Sequence, residues 1–399
     1  MLRGLLRGSR HRLRPVAVGL AGGAAAGAAW TAARAEGDSG AWTWPSSAAA
    51  AGSGAAPTLK IRSYNVLSDG LCDAKGFDCC PPEDVDNPTR LARVKAKLAA
   101  EMREGAVICL QEVSRNWAGE LVPLFEQHGY NHMTALKTNY DGTAYMGPAL
   151  AWPTARYTAE QVEAKRVSET VDWPRPKPKG KVQKPMRGSD PGPPFDPRVA
   201  ALRRHNCTIL ARLREKDSGR SFCVATYHMP CLFGSDEKCQ VMVLHASWLM
   251  QHAQKWAAGD PLVVAGDFNI KPGDPTYDMI VEGEIAPGHP HYPRAAPPDA
   301  SAAEAAWTPG AAPMRSAYAE RNGAEPEFTN LARRGFTGGD EFCETLDYLW
   351  LSPEWDVAGV VPLPARKSLP EQIMSFPSSD EPSDHILVGA DLGLRSSRL

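Results

Sequence analysis

The stretch Val263-Val264-Ala265-Gly266-Asp267-Phe268-Asn269 decides how this chain reads. Residues 262–265 form an apolar, valine-rich run, the mark of a buried strand. The run ends at a glycine and then offers a carboxylate and an amide two residues apart. The two-residue period of a strand puts Asp267 and Asn269 on one side. A carboxylate beside an amide can hold an attacking water and a phosphate oxygen together. By itself this is one acid at one strand end, and its weight comes from neighbouring segments that close in the same way.

Upstream, Ala225-Thr226-Tyr227-His228-Met229-Pro230 places His228 directly after another apolar run. Between the two, residues 237–256 carry Val241, Leu244, Trp248, Leu249 and Trp256 on one face of a long helix. Further upstream, residues 106–110 are continuously apolar and deliver Gln111-Glu112-Val113. Residues 59–67 alternate and close on Tyr64-Asn65-Val66-Leu67. Pro88 and Thr89 open a helix between these strands, with Leu91, Val94, Leu98 and Met102 inward and Gly105 as its stop. A second amphipathic stretch, with Trp117, Leu121, Leu124 and Phe125 inward, stops at Gly129. Downstream, Thr345-Leu346-Asp347-Tyr348-Leu349-Trp350 sets an acid in an apolar strand, where a buried carboxylate needs a partner. Pro382-Ser383-Asp384-His385 precedes a last strand at 386–390, and His385 is the natural partner for Asp347. Such a pair fixes the imidazole tautomer and raises its basicity. A hard cation such as Mg²⁺ takes oxygen ligands and keeps several waters, so one or two strand-end carboxylates such as Glu112 suffice to hold it. Further strands fall at 149–152, 208–213 and 222–227. Strands outnumber helices and often follow one another directly, so the expected fold class is α/β, with mixed sheets packed together and helices outside.

Composition bounds the rest. The 399 residues are 43% hydrophobic and 23% charged, enough for a sizeable core. The formal net charge of −2 supplies no global field toward nucleic acid, so any such contact uses a local patch. The cysteines number nine, with no Cys-x-x-Cys pair, which points to a reducing compartment and no structural zinc. Cys72, Cys79 and Cys80 crowd one stretch and read as loop thiols. Residues 1–57 form a leader and linker. Arg3, Arg7, Arg10, Arg12, Arg14 and Arg34 precede the first acid, Glu36, the pattern of a mitochondrial or plastid transit peptide. A secretory signal ending at Ala33-Arg34-Ala35 is the rival. The apolar part is mostly Ala and Gly, so no stable membrane insertion is expected. Segments 173–198 and 286–313, rich in proline, read as surface insertions in a domain spanning 58–399, and the first of them is basic.

The ordered set Asn65, Glu112, His228, Asp267-x-Asn269, Asp347 and Asp384-His385 resembles the endonuclease/exonuclease/phosphatase superfamily, from about Leu59 to Leu394. The strings Asp141-Gly142-Thr143-Ala144-Tyr145-Met146-Gly147-Pro148-Ala149-Leu150-Ala151, Glu327-Phe328-Thr329-Asn330, Thr345-Leu346-Asp347-Tyr348 and Pro382-Ser383-Asp384-His385 resemble its nocturnin and poly(A)-deadenylase branch. The resemblance implies a four-layer α/β/β/α sandwich of two mixed β-sheets flanked by helices. It implies Mg²⁺, with Mn²⁺ as a substitute, held by Glu112 with Asn65 and Asp384. Asp267 would position or deprotonate water, Asn269 would hold the phosphate, His228 and His385 would stabilise developing charge, and Asp347 would orient His385. Members of that branch often carry an aromatic just before Pro-Ser-Asp-His to stack on a base. Glu381 stands there in this chain, an acid unfavourable beside a polyanion, so Phe376 becomes the stacking candidate.

Three functions follow as expectations. The first is a metal-dependent 3′-exoribonuclease-like phosphoesterase, which the basic insertion favours. The second is a small-molecule phosphatase removing a 2′-phosphate, which the near-zero charge and Glu381 favour. The third, a binding protein without catalysis, is opposed by the full set of expected residues. RNA or a nucleotide is the expected partner, and no protein partner is evident.

Overall fold

A computed structural model describes residues 59–138, 144–173, 195–293, 307–334 and 339–395. The expected leader, the bulk of the first insertion (174–194), residues 294–306 of the second and Asp141-Gly142-Thr143 lie outside the described residues. The strands, in chain order, are β1 (Leu59–Asn65), β2 (Val107–Ser114), β3 (Tyr130–Thr134), β4 (Lys137–Thr138) and β5 (Ala144–Pro153). They continue with β6 (Tyr157–Arg166), β7 (Cys207–Glu215), β8 (Ser221–His228), β9 (Leu262–Asp267) and β10 (Arg315–Ser316). The last five are β11 (Asn330–Arg333), β12 (Glu341–Glu344), β13 (Asp347–Leu351), β14 (Trp355–Val360) and β15 (Val388–Leu394). The helices that matter here are α1 (Pro82–Val85), α2 (Asn87–Arg103), α3 (Arg115–Gln127), α4 (Pro197–Leu202) and α5 (Asp236–Ala257).

Two mixed sheets result. One runs β14-β15-β1-β2-β5-β3, with β4 also on β5; the other runs β10-β13-β9-β8-β7-β6. Alternation along each strand explains the layers. Leu59, Ile61, Val107 and Cys109 face Val224, Val263, Ala265 and Leu349 in the core between the sheets. Ile108 and Leu110 point the other way, onto Val94, Leu98, Leu121 and Phe125 of α2 and α3. On the far side Tyr227, Val264 and Trp350 pack on Val241, Leu244 and Trp248 of α5. This is the expected α/β/β/α sandwich. Among the described residues no helix is long and apolar enough to cross a membrane.

The helices start where their sequences can satisfy free N–H groups. Asp86 caps α2 by accepting from Thr89 N at 3.0 Å and Thr89 Oγ1 at 2.6 Å, and Ser235 caps α5 through Lys238 N. One expectation about α2 needs amending. Its fully buried side consists of Arg90, Val94, Leu98 and Met102, with Leu91 only partly covered. Strand limits also differ from the sequence reading. The strand expected to stop at Leu110 continues to Ser114 through a bulge, and the final strand begins at Val388, not at 386.

Candidate active site

The inter-sheet parity that buries Ile61, Val224, Val263 and Leu349 also turns Asn65, His228, Asp267 and Asp347 to the inner face at their strand ends. His228 is in parallel register with Asp267, and Asp267 in antiparallel register with Asp347. Three functional side chains therefore form one row across β8, β9 and β13. Gly266 is required just before Asp267, because a Cβ there would lie 1.9 Å from the Tyr227 carbonyl oxygen. Beneath the row the sheets are tied by Gln111, whose Nε2 donates to Ser63 Oγ and Thr226 Oγ1, each at 3.1 Å.

Asn65 joins the halves. Its Nδ2 donates to Asp267 Oδ2 at 2.9 Å and to Glu112 Oε1 at 3.2 Å. Leu67 N donates to Asn65 Oδ1 at 3.0 Å across a turn in which Leu67 has φ +51°. Glu112 sits in the β2 bulge with φ +59°. A non-glycine residue held there costs about 1–3 kcal/mol, and such strain concentrates at functional sites. The bulge aims the carboxylate inward, where Oε2 accepts from Ser68 N at 3.0 Å.

Asp347 and His385 pair as expected. His385 Nδ1 lies 2.8 Å from Asp347 Oδ2, so this nitrogen carries the proton and donates. Thr329 Oγ1 donates to the same oxygen at 2.7 Å while accepting from Leu346 N and Asp347 N. His385 Nε2 then faces Asp267 Oδ2 at 3.7 Å, and His228 Nε2 faces it at 3.5 Å. His228 Nε2 also lies 3.9 Å from Glu112 Oε1. Burial works against a charged His385, but the Asp347 and Asp267 carboxylates outweigh it and hold the imidazolium well above its usual range. Burial, Lys137 and His385 push His228 well below, so it is neutral. Burial lifts Asp267 to about 7, helped by Asp347 and opposed by His385.

Asn269 is placed differently from the expectation. The strand ends at Asp267, and Asn269 has φ +51°, so strand alternation does not pair them. Instead Asn269 N donates to Asp267 Oδ1 at 2.9 Å, and its Nδ2 donates to the Met229 carbonyl at 3.1 Å. Asp384 accepts from Arg334 Nη2 at 2.7 Å through Oδ2, while its buried Oδ1 has no partner. Burial alone would raise its pKa, but Arg334 and His385 together lower it.

Two expectations fail. Phe376 is 1% exposed and packs on Phe328, Leu331, Leu369 and Ile386. It cannot stack on a base, because its ring belongs to a core beneath the β11–β12 hairpin. Glu381 does not face substrate either. It is fully buried, accepting from Tyr64 Oη and pairing with Lys97 of α2. Its charge is therefore answered within the fold and does not argue against a polyanion. The sequence reading also missed Thr329 as the anchor of Asp347 and Arg334 as the partner of Asp384. Thr329 lay inside a string already singled out. Nothing local marked Arg334.

A divalent cation fits this donor set. Asp267 and Asp347 are paired across β9 and β13, and Glu112 is joined to Asp267 through Asn65 Nδ2. No lysine or arginine forms an ion pair with the three among the described residues, and Asp347 Oδ1 is buried without a partner. Ligand atoms of Asp267, Asp347 and His385 lie within 4.8 Å of one another. That trio is the poorer holder, since His385 Nδ1 and Asp347 Oδ2 already serve each other. Glu112 offers a carboxylate with no hydrogen bond to an imidazole. Asn65, expected as a ligand, instead turns its Nδ2 to Glu112 Oε1 while its Oδ1 accepts from Leu67 N, so it orients Glu112 and presents no oxygen beside it.

The sequence profile of the Endonuclease/Exonuclease/phosphatase family matches residues 63–385. Nocturnin of Drosophila melanogaster is 27% identical over 343 residues, covering 84% of this chain and 47% of its own length. The 2',5'-phosphodiesterase 12 of Bos taurus is 24% identical over 353 residues, covering 84% of this chain and 51% of its own. The chain thus spans about half the length of the curated relatives it matches. Among solved structures, ANGEL2, a 2',3'-cyclic phosphatase, in complex with adenosine-2',3'-vanadate shares the fold with a TM-score of 0.62 at 19% identity. That likeness covers 84% of this chain and 95% of the other.

Proposed function

Because the chain belongs to the endonuclease/exonuclease/phosphatase family, we propose that it is a divalent-cation-dependent phosphoesterase that hydrolyses phosphate esters in RNA, in the manner of a 3′ exoribonuclease. The observation that carries this reading is the row His228, Asp267, Asp347, closed by His385 on one side and by Asn65 and Glu112 on the other. Asp267, lifted toward neutrality and gripped by Asn65 N–H and Asn269 N–H, accepts a proton from an attacking water. His385, kept protonated by Asp347, donates through Nε2 to a phosphoryl oxygen as its charge grows. The second Nδ2 hydrogen of Asn269, unpartnered among the described residues, is a further donor. His228, neutral and tied by Asn206 Nδ2 to its own carbonyl at 2.8 Å, donates or accepts beside it. Mg²⁺, or Mn²⁺ in its place, would be held by Glu112, which Asn65 Nδ2 orients, with the unpartnered Asp384 Oδ1 as a further oxygen, and would neutralise phosphoryl charge when bound.

The second reading is removal of a 2′-phosphate from a dinucleotide, favoured by the net charge of −2. Purified full-length protein with Mg²⁺ is offered labelled oligo(A), mixed-sequence RNA and a 2′-phosphorylated dinucleotide, with Glu112→Ala as the blank. Stepwise RNA shortening that vanishes in the variant supports the first reading. Phosphate release from the dinucleotide alone replaces it with the second. A polymer substrate also gives a steep loss of binding with salt. The arginine-rich leader is proposed to address a mitochondrion or plastid. A fluorescent protein fused behind residues 1–57 that enters the secretory pathway would refute that.

A further inference from the structure

Helix α2 carries an arginine where its apolar stripe calls for an aliphatic side chain. Arg90 precedes Val94, Leu98 and Met102 at four-residue intervals and is fully buried. A guanidinium removed from water is costly unless its N–H groups are matched. Here Nε donates to the Pro382 carbonyl at 2.7 Å, and one terminal nitrogen donates to the Val66 and Leu67 carbonyls at 2.9 and 2.5 Å. The other donates to Asn87 Oδ1 at 3.0 Å, and the guanidinium lies 5.1 Å from the centre of the Trp117 ring. Every one of these acceptors is neutral, and among the described residues no carboxylate forms an ion pair with Arg90. An apolar side chain would serve packing at less cost, so the arginine's value lies in what its fork connects.

It connects the two segments that supply the site. Val66 and Leu67 form the turn whose Leu67 N fixes the Asn65 side chain at 3.0 Å. Pro382 opens the loop that presents Asp384 and His385. The same two segments are pinned once more by Ser383 Oγ, which donates to the Asn65 carbonyl at 2.7 Å and accepts from His385 N at 3.2 Å. We propose that Arg90 is a positioning residue that sets the spacing between the Asn65 turn and the Asp384–His385 loop, and so the placement of the groups that meet the cation and the phosphate. Lysine cannot replace it, because its three donors radiate from one point and do not span two chains in a plane.

The inference rests on the phosphoesterase reading for its rate readout only. Full-length wild type and Arg90→Lys are compared by calorimetric titration with Mg²⁺ alone, by kcat and KM on the preferred phosphoester, and by thermal midpoint. Arg90→Lys is expected to weaken Mg²⁺ binding and lower kcat, each roughly 10–100-fold, with KM little changed. A folded Arg90→Lys with Mg²⁺ affinity and kcat unchanged, whatever its thermal midpoint, overturns the proposal. Should Arg90→Lys fail to fold, Arg90→Gln keeps a planar donor but is too short to span both segments. A several-fold loss of Mg²⁺ affinity is then expected, and unchanged affinity overturns the proposal. A wild type that binds Mg²⁺ but hydrolyses nothing removes the phosphoesterase reading, and the calorimetry still decides for Arg90. A wild type that takes up no Mg²⁺ overturns both.

Discussion

Replacing Asp347 by asparagine removes one charge while leaving the shape of the site intact. Oδ2 of Asp347 accepts from both His385 Nδ1 and Thr329 Oγ1, and the asparagine oxygen can take its place. The new NH₂ then occupies the position of Oδ1, which is buried and has no partner. Two effects follow, and they separate. The unsatisfied amide costs about 1–3 kcal/mol of stability, which lowers the thermal midpoint by roughly 2–4 °C per kcal/mol for a domain of this size or somewhat less. The lost charge weakens the hydrogen bond that holds the imidazolium. A bond to a charged group contributes about 1.5–3 kcal/mol. At about 1.36 kcal/mol per decade, the expected fall in kcat is roughly 10- to 150-fold. The pH profile gives the sign independently. Asp347 raises the His385 pKa, so the protonated donor persists to higher pH in the wild type than in the variant. The alkaline limb of the rate profile therefore moves to lower pH in Asp347→Asn. Steady-state kinetics across the neutral and alkaline range, with folding checked by circular dichroism, provides the test. A folded variant within twofold of wild-type kcat and with an unmoved alkaline limb refutes the Asp347–His385 reasoning.

Other outcomes concern the surroundings of the site. Phe376→Ala is expected to lose about 3–5 kcal/mol in denaturant unfolding, the usual cost of emptying an aromatic position in a core, while the ratio of oligo(A) to mixed-RNA cleavage stays constant. Unchanged stability with a lost preference would restore a stacking role. His245, fully buried between Tyr227 Oη and the Ala201 carbonyl, is driven by burial to a pKa of about 4 from 6.5. The unfolded chain therefore binds the extra proton first, and stability present above pH 6.5 falls as pH drops toward 4, by roughly 3 kcal/mol from this group. His245→Gln should flatten that part of the stability profile, and an unaltered slope would show that other groups control it.

The sequence displayed the site to the extent that strand alternation controls it. Asn65, His228, Asp267 and Asp347 sit where a two-residue period and an apolar run put them, and the Asp347–His385 pair was visible as a buried acid in need of a partner. Glu112 was found at the right place for an incomplete reason. Its orientation comes from a left-handed bulge that no propensity announces, since nothing in Leu110-Gln111-Glu112-Val113 contains a glycine. Glu381 and Phe376 were misplaced because their surroundings are assembled from far along the chain. Lys97 and Tyr64 reach Glu381 from α2 and β1, and Phe328 and Leu369 enclose Phe376. Arg90 was hidden by its own chemistry, since a charged residue at a helix start ordinarily faces water. Local patterns record which face a residue occupies. They do not record which distant partner makes a buried charge tolerable.

The position of β15 bears on how the protein is made. This last strand lies between β14 and β1, pairing Leu392 with Leu59. β1, the first strand among the described residues, thus keeps one hydrogen-bonding edge open until about 330 more residues have followed it. At roughly 5–20 residues per second, that delay is about 15–65 seconds. Throughout it, the nascent chain lacks both its second flank on β1 and the loop bearing His385. A chain stopped before His385 therefore lacks both the strand that joins β1 to β14 and the His385 imidazole of the candidate site.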